Sequence, residues 1–375
     1  MLLLDRAANQ FYSQATSDGE TIRFPADKGI AGETLRSNIL RIDDCYADPR
    51  FNREVDKQTG YRTNNMISVA LVGGEDQAVG VMQLLNADKG HFDEQDEALA
   101  ETFAGFAAVA IQRAQAEETR LAKAQLERDL DVARELQMAL LPKETPEVPG
   151  YEIATFFQPA DQTGGDMFDL FPIPGTDGSE SPGLTVLLAD ATGHGIGAAV
   201  SVTQVRSMLR TGDQLGADLE TLCKHLNGQL AEDLPSGKFV TAFFGRLRVA
   251  ENKLHYLSMG QAPLLHYVAA DGEAIWLNAS SVPMGLLPNP PLPRPAPISM
   301  APGDAFVLLS DGFYEQTNLE GEEMGKERIG EIVETHLAGG AAAIVENLCS
   351  ELDEFSNGQG QEDDLTAVVL RRLID

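Results

Sequence analysis

A chain of 375 residues is longer than one ordinary domain and predicts two or three. With 43% hydrophobic and 23% charged residues it has the composition of a globular protein, and no run approaches the ~20 apolar residues needed to span a bilayer. A formal charge of −30 repels phosphate backbones and anionic lipid, so neither nucleic acid nor a membrane is an expected partner. The three cysteines, Cys45, Cys223 and Cys349, are odd in number and widely spaced. That argues against a disulfide framework or a paired-cysteine metal site, and for a reducing, cytoplasmic setting. The opening Met1-Leu2-Leu3-Leu4-Asp5 is too short for a secretory signal and enters a domain abruptly, as though a first strand lay upstream.

In chain order, residues 1–110 mix short strands with turns. Met66 to Val72 and Ala78 to Leu85 alternate as strands of a half-exposed antiparallel sheet, and Gly73-Gly74-Glu75-Asp76 supplies the turn between them. From about 94 to 141 only Gly105 interrupts a helical pattern, with Leu99, Phe103, Phe106, Val109 and Ala110, then Leu126, Leu130, Ala133, Leu136 or Gln137, and Leu140 in register. This predicts a helix of ~70 Å at 1.5 Å per residue, stopped by Pro142. Its narrow apolar seam favours a coiled coil between subunits, hence a homodimer, over packing on its own domain. Residues 111–145 are therefore assigned as linker.

Residues 146–375 read as strands around Val186 to Ala189, Phe243 to Leu247, Leu254 to Leu257, Phe306 to Leu309 and Thr366 to Leu370. Helices are expected at Gly197 to Thr211, Leu215 to Leu234 and about Glu327 to Phe355, with a Pro-rich loop at Pro288 to Pro297. The fold class is α+β, with sheets flanked by helices.

Four segments place an aspartate where a strand should run out into a Gly-rich turn. They are Thr163-Gly164-Gly165-Asp166, Leu188-Ala189-Asp190-Ala191-Thr192-Gly193-His194-Gly195, Leu309-Ser310-Asp311-Gly312 and Glu362-Asp363-Asp364-Leu365-Thr366. One such turn is ordinary; four in one region are a pattern. Carboxylates brought together without cations repel and desolvate at several kcal/mol per ion. Hard divalent cations with oxygen ligands, Mg²⁺ or Mn²⁺, resolve that conflict.

From about residue 125 onward the sequence resembles the metal-dependent, protein phosphatase 2C-like superfamily, in its bacterial stage II sporulation protein E branch. Besides the aspartate motifs, the lead-in helix Leu130 to Pro142, the run Phe239-Val240-Thr241-Ala242-Phe243-Phe244-Gly245, and Pro283-Met284-Gly285-Leu286 carry the likeness. The resemblance implies a β-sandwich flanked by helices and two metal ions. Asp190 would bridge the ions, Asp166 and the Ala191 carbonyl would join it on one, and Asp311 and Asp363 would hold the other. Asp363 is preferred to Asp364, which matches a polar neighbour. Such ions activate a water for in-line attack on phosphorus and need no covalent phosphoenzyme. His194 stands either as general acid for the leaving serine oxygen or as a turn residue positioning backbone. Met259-Gly260-Gln261-Ala262-Pro263 replaces a Gly-His-Asn-Pro-like turn, and Gln261 has no proton to give near pH 7.

Residues 1–110 resemble a GAF sensor domain through Gly29 to Leu35, Ile42 to Phe51 and Val79 to Asn86. Asn86, Phe92, Asp96 and Glu97 match most of a cyclic-nucleotide-binding pattern, with Ala87 in place of its lysine. The implied whole is a signal-regulated serine/threonine phosphatase. Its substrate would be a phosphoprotein of the anti-sigma-factor-antagonist kind, and a small molecule could occupy the GAF domain. A non-catalytic sensor scaffold and a hydrolase of small phosphate esters are the alternatives.

Overall fold

The structure, a computed structural model, describes residues 1–13, 23–74, 77–173 and 183–374. They form two compact units, Met1–Leu126 and Glu127–Asp375. Among the described residues no helix is long and apolar enough to cross a membrane.

In the first unit, β1 (Leu2–Asp5), β2 (Gln10–Tyr12), β3 (Arg23–Pro25), β4 (Ile39–Ile42), β5 (Met66–Val72) and β6 (Ala78–Leu85) form one antiparallel sheet in the order β3-β2-β1-β6-β5-β4. The β5–β6 pair is the expected hairpin. Of its turn, Glu75 and Asp76 lie outside the described residues. The first four strands are only three or four residues long, too short to show alternation in sequence. Helices α1 (Gly29–Ser37), α2 (Arg53–Thr59) and α3 (Glu94–Leu140) complete the unit, and α3 runs on into the second.

The residues of α3 that pack on the sheet are not those of the apolar seam. Ala100, Ala104 and Ala108, four residues apart, are the side chains buried on Ile67, Val69 and Leu71. Alanine on that face lets the helix approach the sheet closely and leaves the bulky positions outward. Leu99, Phe103, Phe106 and Val109 are all exposed, Phe106 to 72%. Farther along, Leu121, Leu126, Val132 and Leu136 are exposed as well.

The second unit contains β7 (Tyr151–Gln158), β8 (Asp166–Ile173), β9 (Gly183–Ala191), α4 (Ile196–Gln214), α5 (Leu219–Asp233), β10 (Val240–Arg248), β11 (Lys253–Met259), β12 (Leu264–Val268), β13 (Glu273–Leu277), β14 (Ile298–Ser299), β15 (Ala305–Leu309), α6 (Asp311–Glu315), α7 (Gly325–His336), α8 (Ala341–Ser356) and β16 (Leu365–Arg372). Two five-stranded antiparallel sheets, β14-β11-β10-β9-β8 and β13-β12-β15-β16-β7, face each other. Phe243 of one sheet meets Phe306 of the other with ring centroids 5.5 Å apart. Residues of α4 and α5, such as Val205 and Leu226, join that first core, while α7 and α8 pack Ile329, Val333 and Leu348 on Val307 and Val369. Alternate residues of β15 thus enter different cores, and all five are buried. This is why the strand reads as an unbroken apolar run.

The single helix expected from Glu327 to Phe355 is two. Gly339 and Gly340 break it, with Gly340 at φ 91° where residues with side chains are strained. Between β8 and α4, Asp169 is fully buried and accepts from Arg210 Nε and Nη2 at 2.6 and 2.7 Å, with Arg206 Nε at 3.0 Å. That pairing clamps the helix to the sheet.

Truncating Phe243 to alanine should cost about 3–5 kcal/mol, because the site between two sheets cannot collapse. Guanidinium denaturation followed by the fluorescence of Trp276, the chain's one tryptophan, should show the midpoint fall accordingly.

Candidate metal centre

The expected aspartates come together, though not all at strand ends. Only Asp190 lies near the end of a strand that runs into a glycine turn, where Gly193 and Gly195 take φ 87° and 85°. Asp166 is the first residue of β8, Asp311 opens α6 after β15, and Asp363 precedes β16. Because neighbouring strands are antiparallel, starts and ends share one edge, and Asp166 pairs directly with Asp190. The two sheets are tied there as well. The Asp166 N–H donates to Asp364 Oδ2 at 3.1 Å, and Thr366 Oγ1 donates to Asp166 Oδ2 at 2.5 Å.

Asp190, Asp311 and Asp363 line one cavity of about 330 Å³, together with Asp161, Glu362, Asp364 and His194. Burial raises the Asp190 carboxyl to about 7, helped by the charges of Asp311 and Asp363. Burial raises Asp311 to about 6, with Asp363 and Glu315 adding to it. Asp166 is 1% exposed and does not line the cavity. Its carboxyl is held well above the ordinary range, first by burial and then by the charge of Asp190. Carboxyls held this way gain most from a cation at their centre.

The neighbouring acids differ in what they already do. Both Asp364 oxygens accept backbone hydrogen bonds, from Ala160 N at 2.8 Å and from Asp166 N. Asp363 is exposed and accepts only a local bond, from the Asp364 N–H. His194 is 86% exposed at the rim, its Nδ1 3.5 Å from Asp161. Gln261 is buried. Its Oε1 accepts from Thr241 Oγ1 at 3.0 Å and its Nε2 donates to the Leu309 carbonyl at 3.1 Å. It braces the strand opposite Asp190 against the segment leading to Asp311 through the hydrogen-bonding side chain that the sequence puts there.

Among the described residues no three His, Cys, Asp or Glu side chains form a set that could by themselves hold an ion. Main-chain oxygen supplements them. A Cβ on Gly165 would stand 2.8 Å from the Ala191 carbonyl, 3.0 Å from the Gly193 carbonyl and 3.3 Å from Asp190 Oδ1. Three oxygens thus crowd the space that a side chain at position 165 would enter. An all-oxygen set of carboxylates and carbonyls fits a hard divalent cation such as Mg²⁺ or Mn²⁺.

In the first unit a cavity of about 550 Å³ is floored by Phe24, Ile30, Phe51 and Met66 and edged by Arg23, Lys28 and Arg50. The cyclic-nucleotide pattern does not reach it. Asn86 accepts from Asn64 N and donates to the Arg62 carbonyl, Asp96 binds Lys89, and Glu97 pairs with Arg41. All three cysteines are free thiols, with Cys45 and Cys349 pushed up to about 11 by burial.

Two facing antiparallel sheets flanked by helices are the architecture of the PP2C-type phosphatases, and the chain's family and relatives mark it as a metal-dependent protein serine/threonine phosphatase. Residues 181–373 match the stage II sporulation protein E (SpoIIE) family, and residues 1–111 match the GAF domain family. The chain belongs to the SpoIIE family. It is 23% identical over 250 residues to the phosphoserine phosphatase RsbU of Bacillus subtilis, covering 67% of this chain and 72% of the relative. It is 24% identical over 271 residues to protein IcfG of Synechocystis sp., covering 65% of this chain but 41% of that protein. Among solved structures, the SiaA-PP2C domain of Pseudomonas aeruginosa superposes with a TM-score of 0.56 at 20% identity, over 67% of this chain and 98% of that one. The phosphatase domain of B. subtilis SpoIIE with a fragment of its regulatory domain gives 0.51 at 16%, over 60% and 64%.

Replacing Gly165 with alanine should crowd the oxygen ring, lowering stability by about 1–3 kcal/mol. It should also abolish the thermal stabilisation that Mn²⁺ gives the wild type, as measured by melting with and without the ion.

Proposed function

We propose that this chain is a signal-regulated phosphatase of phosphoserine or phosphothreonine in a protein substrate, working with two ions of Mn²⁺ or Mg²⁺. Asp190 would bridge them, Asp166 and the Ala191 carbonyl would complete one site, and Asp311 and Asp363 the other. The observation that carries this is the withdrawn pair Asp190 and Asp311 on one cavity with Asp363, with Asp166 buried beside Asp190 and main-chain oxygens of Ala191 and Gly193 close to Gly165. Bound there, the ions supply an activated water and neutralise charge on the phosphoryl oxygens. The protein's own part is to hold Asp190 and Asp311 out of bulk water, to brace both through Gln261, and to leave His194 at the rim within reach of a leaving oxygen.

RsbU is a phosphoserine phosphatase by name. With the family membership, that supports a phosphoprotein substrate of the anti-sigma-factor-antagonist kind in a partner-switching pathway. The first unit would sense a small molecule in its cavity. The outward stripe of Leu99, Phe103 and Phe106, continued by Leu121 and Leu126, supports a homodimer through α3, with the helix as transmitter. Residues 111–145 serve as its linker between a sensor (1–110) and a phosphatase (146–375). The acidic chain and its free cysteines support a cytoplasmic place.

Wild-type protein should hydrolyse p-nitrophenyl phosphate only with Mn²⁺ or Mg²⁺ added, and Asp190→Asn should lower the rate on the order of 100-fold. A wild-type rate no higher than the mutant's sinks this reading. A phosphorylated antagonist protein turned over no faster than the small ester would favour a small-ester hydrolase. Light scattering should give twice the chain mass, and a Phe103→Glu, Phe106→Glu double variant should give one. A two-residue insertion at Leu126 should change basal activity by rotating one end of the helix against the other.

A further inference from the structure

Gln137 lies in the last turns of α3 at a position that reads as apolar seam, and it is 4% exposed. A buried amide without partners costs about 1–3 kcal/mol per group, so what it binds matters. Its Nε2 donates to the Gly164 carbonyl at 2.8 Å and to the Asp166 carbonyl at 3.3 Å, and its Oε1 accepts from the Gly164 N–H at 3.1 Å. All three bonds fall on one short turn, the one that carries Gly165 and Asp166. The side chains that lead into it do not hold it: Gln162 Oε1 and Thr163 Oγ1 are buried without partners. It is gripped by Gln137 on one side and by Asp364 and Thr366 on the other.

What the turn fixes is the register of the oxygen ring. The Gly165 carbonyl accepts from the Ala191 N–H at 3.0 Å, and Gly165 walls the point shared by the Ala191 and Gly193 carbonyls and Asp190 Oδ1. A shift of the turn moves Gly165 and Asp166 together against Asp190. Around Gln137 the helix is otherwise loosely held, with Leu136 65% and Met138 41% exposed, until Leu140 and Leu141 enter the core.

We propose that Gln137 is a positioning residue of the metal centre: from the helix it sets the Gly164–Asp166 turn so that Gly165 and Asp166 stand in register with Asp190. The inference rests on the reading that Asp166 and Asp190 serve a cation. Gln137→Leu removes all three hydrogen bonds. Gln137→Glu keeps an acceptor for the Gly164 N–H but sets a carboxylate against two carbonyls. Gln137→Met keeps the length and apolar volume.

The test is a Mn²⁺ titration of the full chain, read by thermal shift and by p-nitrophenyl phosphate hydrolysis, with Leu136→Ala as the neighbouring control. The expected result is a Mn²⁺ midpoint raised about 10–100-fold in all three Gln137 variants by both readouts. The rate at saturating Mn²⁺ should recover towards wild type, and the control should be unchanged. A midpoint within twofold of wild type in any folded variant overturns the proposal. So does failure of all three to fold, which would make Gln137 a determinant of the fold alone. If the wild type itself shows no Mn²⁺-dependent shift or activity, the underlying metal reading fails instead.

Discussion

Two aspartates on one strand show the constraint around which the phosphatase unit is built. Asp166 and Asp169 are three residues apart in β8 and both are buried. Asp169 is met by Arg206 and Arg210. Asp166 is met by hydroxyl groups and by the further negative charge of Asp190. Nor is any Lys or Arg among the described residues that line the cavity. A carboxylate withdrawn from water normally finds a guanidinium or is protonated. Here the chain supplies guanidinium groups to Asp169, where the charge serves packing, and hydroxyl groups to Asp166. The hydrogen bonds of Thr366, Gln261 and Asp364 fit that division, since they fix geometry without cancelling the charge.

The legible part of this architecture is the part in which chemistry and local pattern coincide. Asp166, Asp190, Asp311 and Asp363 stand out because glycines or polar residues flank each and because their order along the chain matches a known family. The hairpin of β5 and β6 and the length of α3 follow from periodicity alone. The illegible part depends on which neighbour a residue meets. On α3 the sequence shows large and small apolar residues side by side, and hydrophobicity picks out the Phe103 and Phe106 seam but not the alanines that meet the sheet. Gln137 is silent for the same reason, being a polar residue in a seam position until its partner turn is known. Glu327 to Phe355 reads as helical on both sides of Gly339-Gly340, and that glycine pair is the sequence signal of the break.

The same helix therefore carries two kinds of information in different residues. Its alanine face belongs to the first unit and its terminal amide to the second, while the bulky stripe contacts neither core. Substitutions along α3 should not be interchangeable, since neighbouring residues answer to different partners. A swap that would be conservative in a generic amphipathic helix, such as alanine for leucine, exchanges a fitting surface for an obstructing one at Ala104 and does the reverse at Leu99.

Antiparallel pairing also decides where this phosphatase can tolerate change. β8 and β9 pair from Asp166↔Asp190 at one end to Ile173↔Gly183 at the other. The residues that join the two strands therefore attach some seven residue steps from the carboxylates, roughly 24 Å at strand rise. A hairpin anchored at its open end by the site and by cross-sheet hydrogen bonds insulates that end from its connection. A change at the Ile173↔Gly183 end is therefore separated from the Asp166↔Asp190 end by the full length of the pairing.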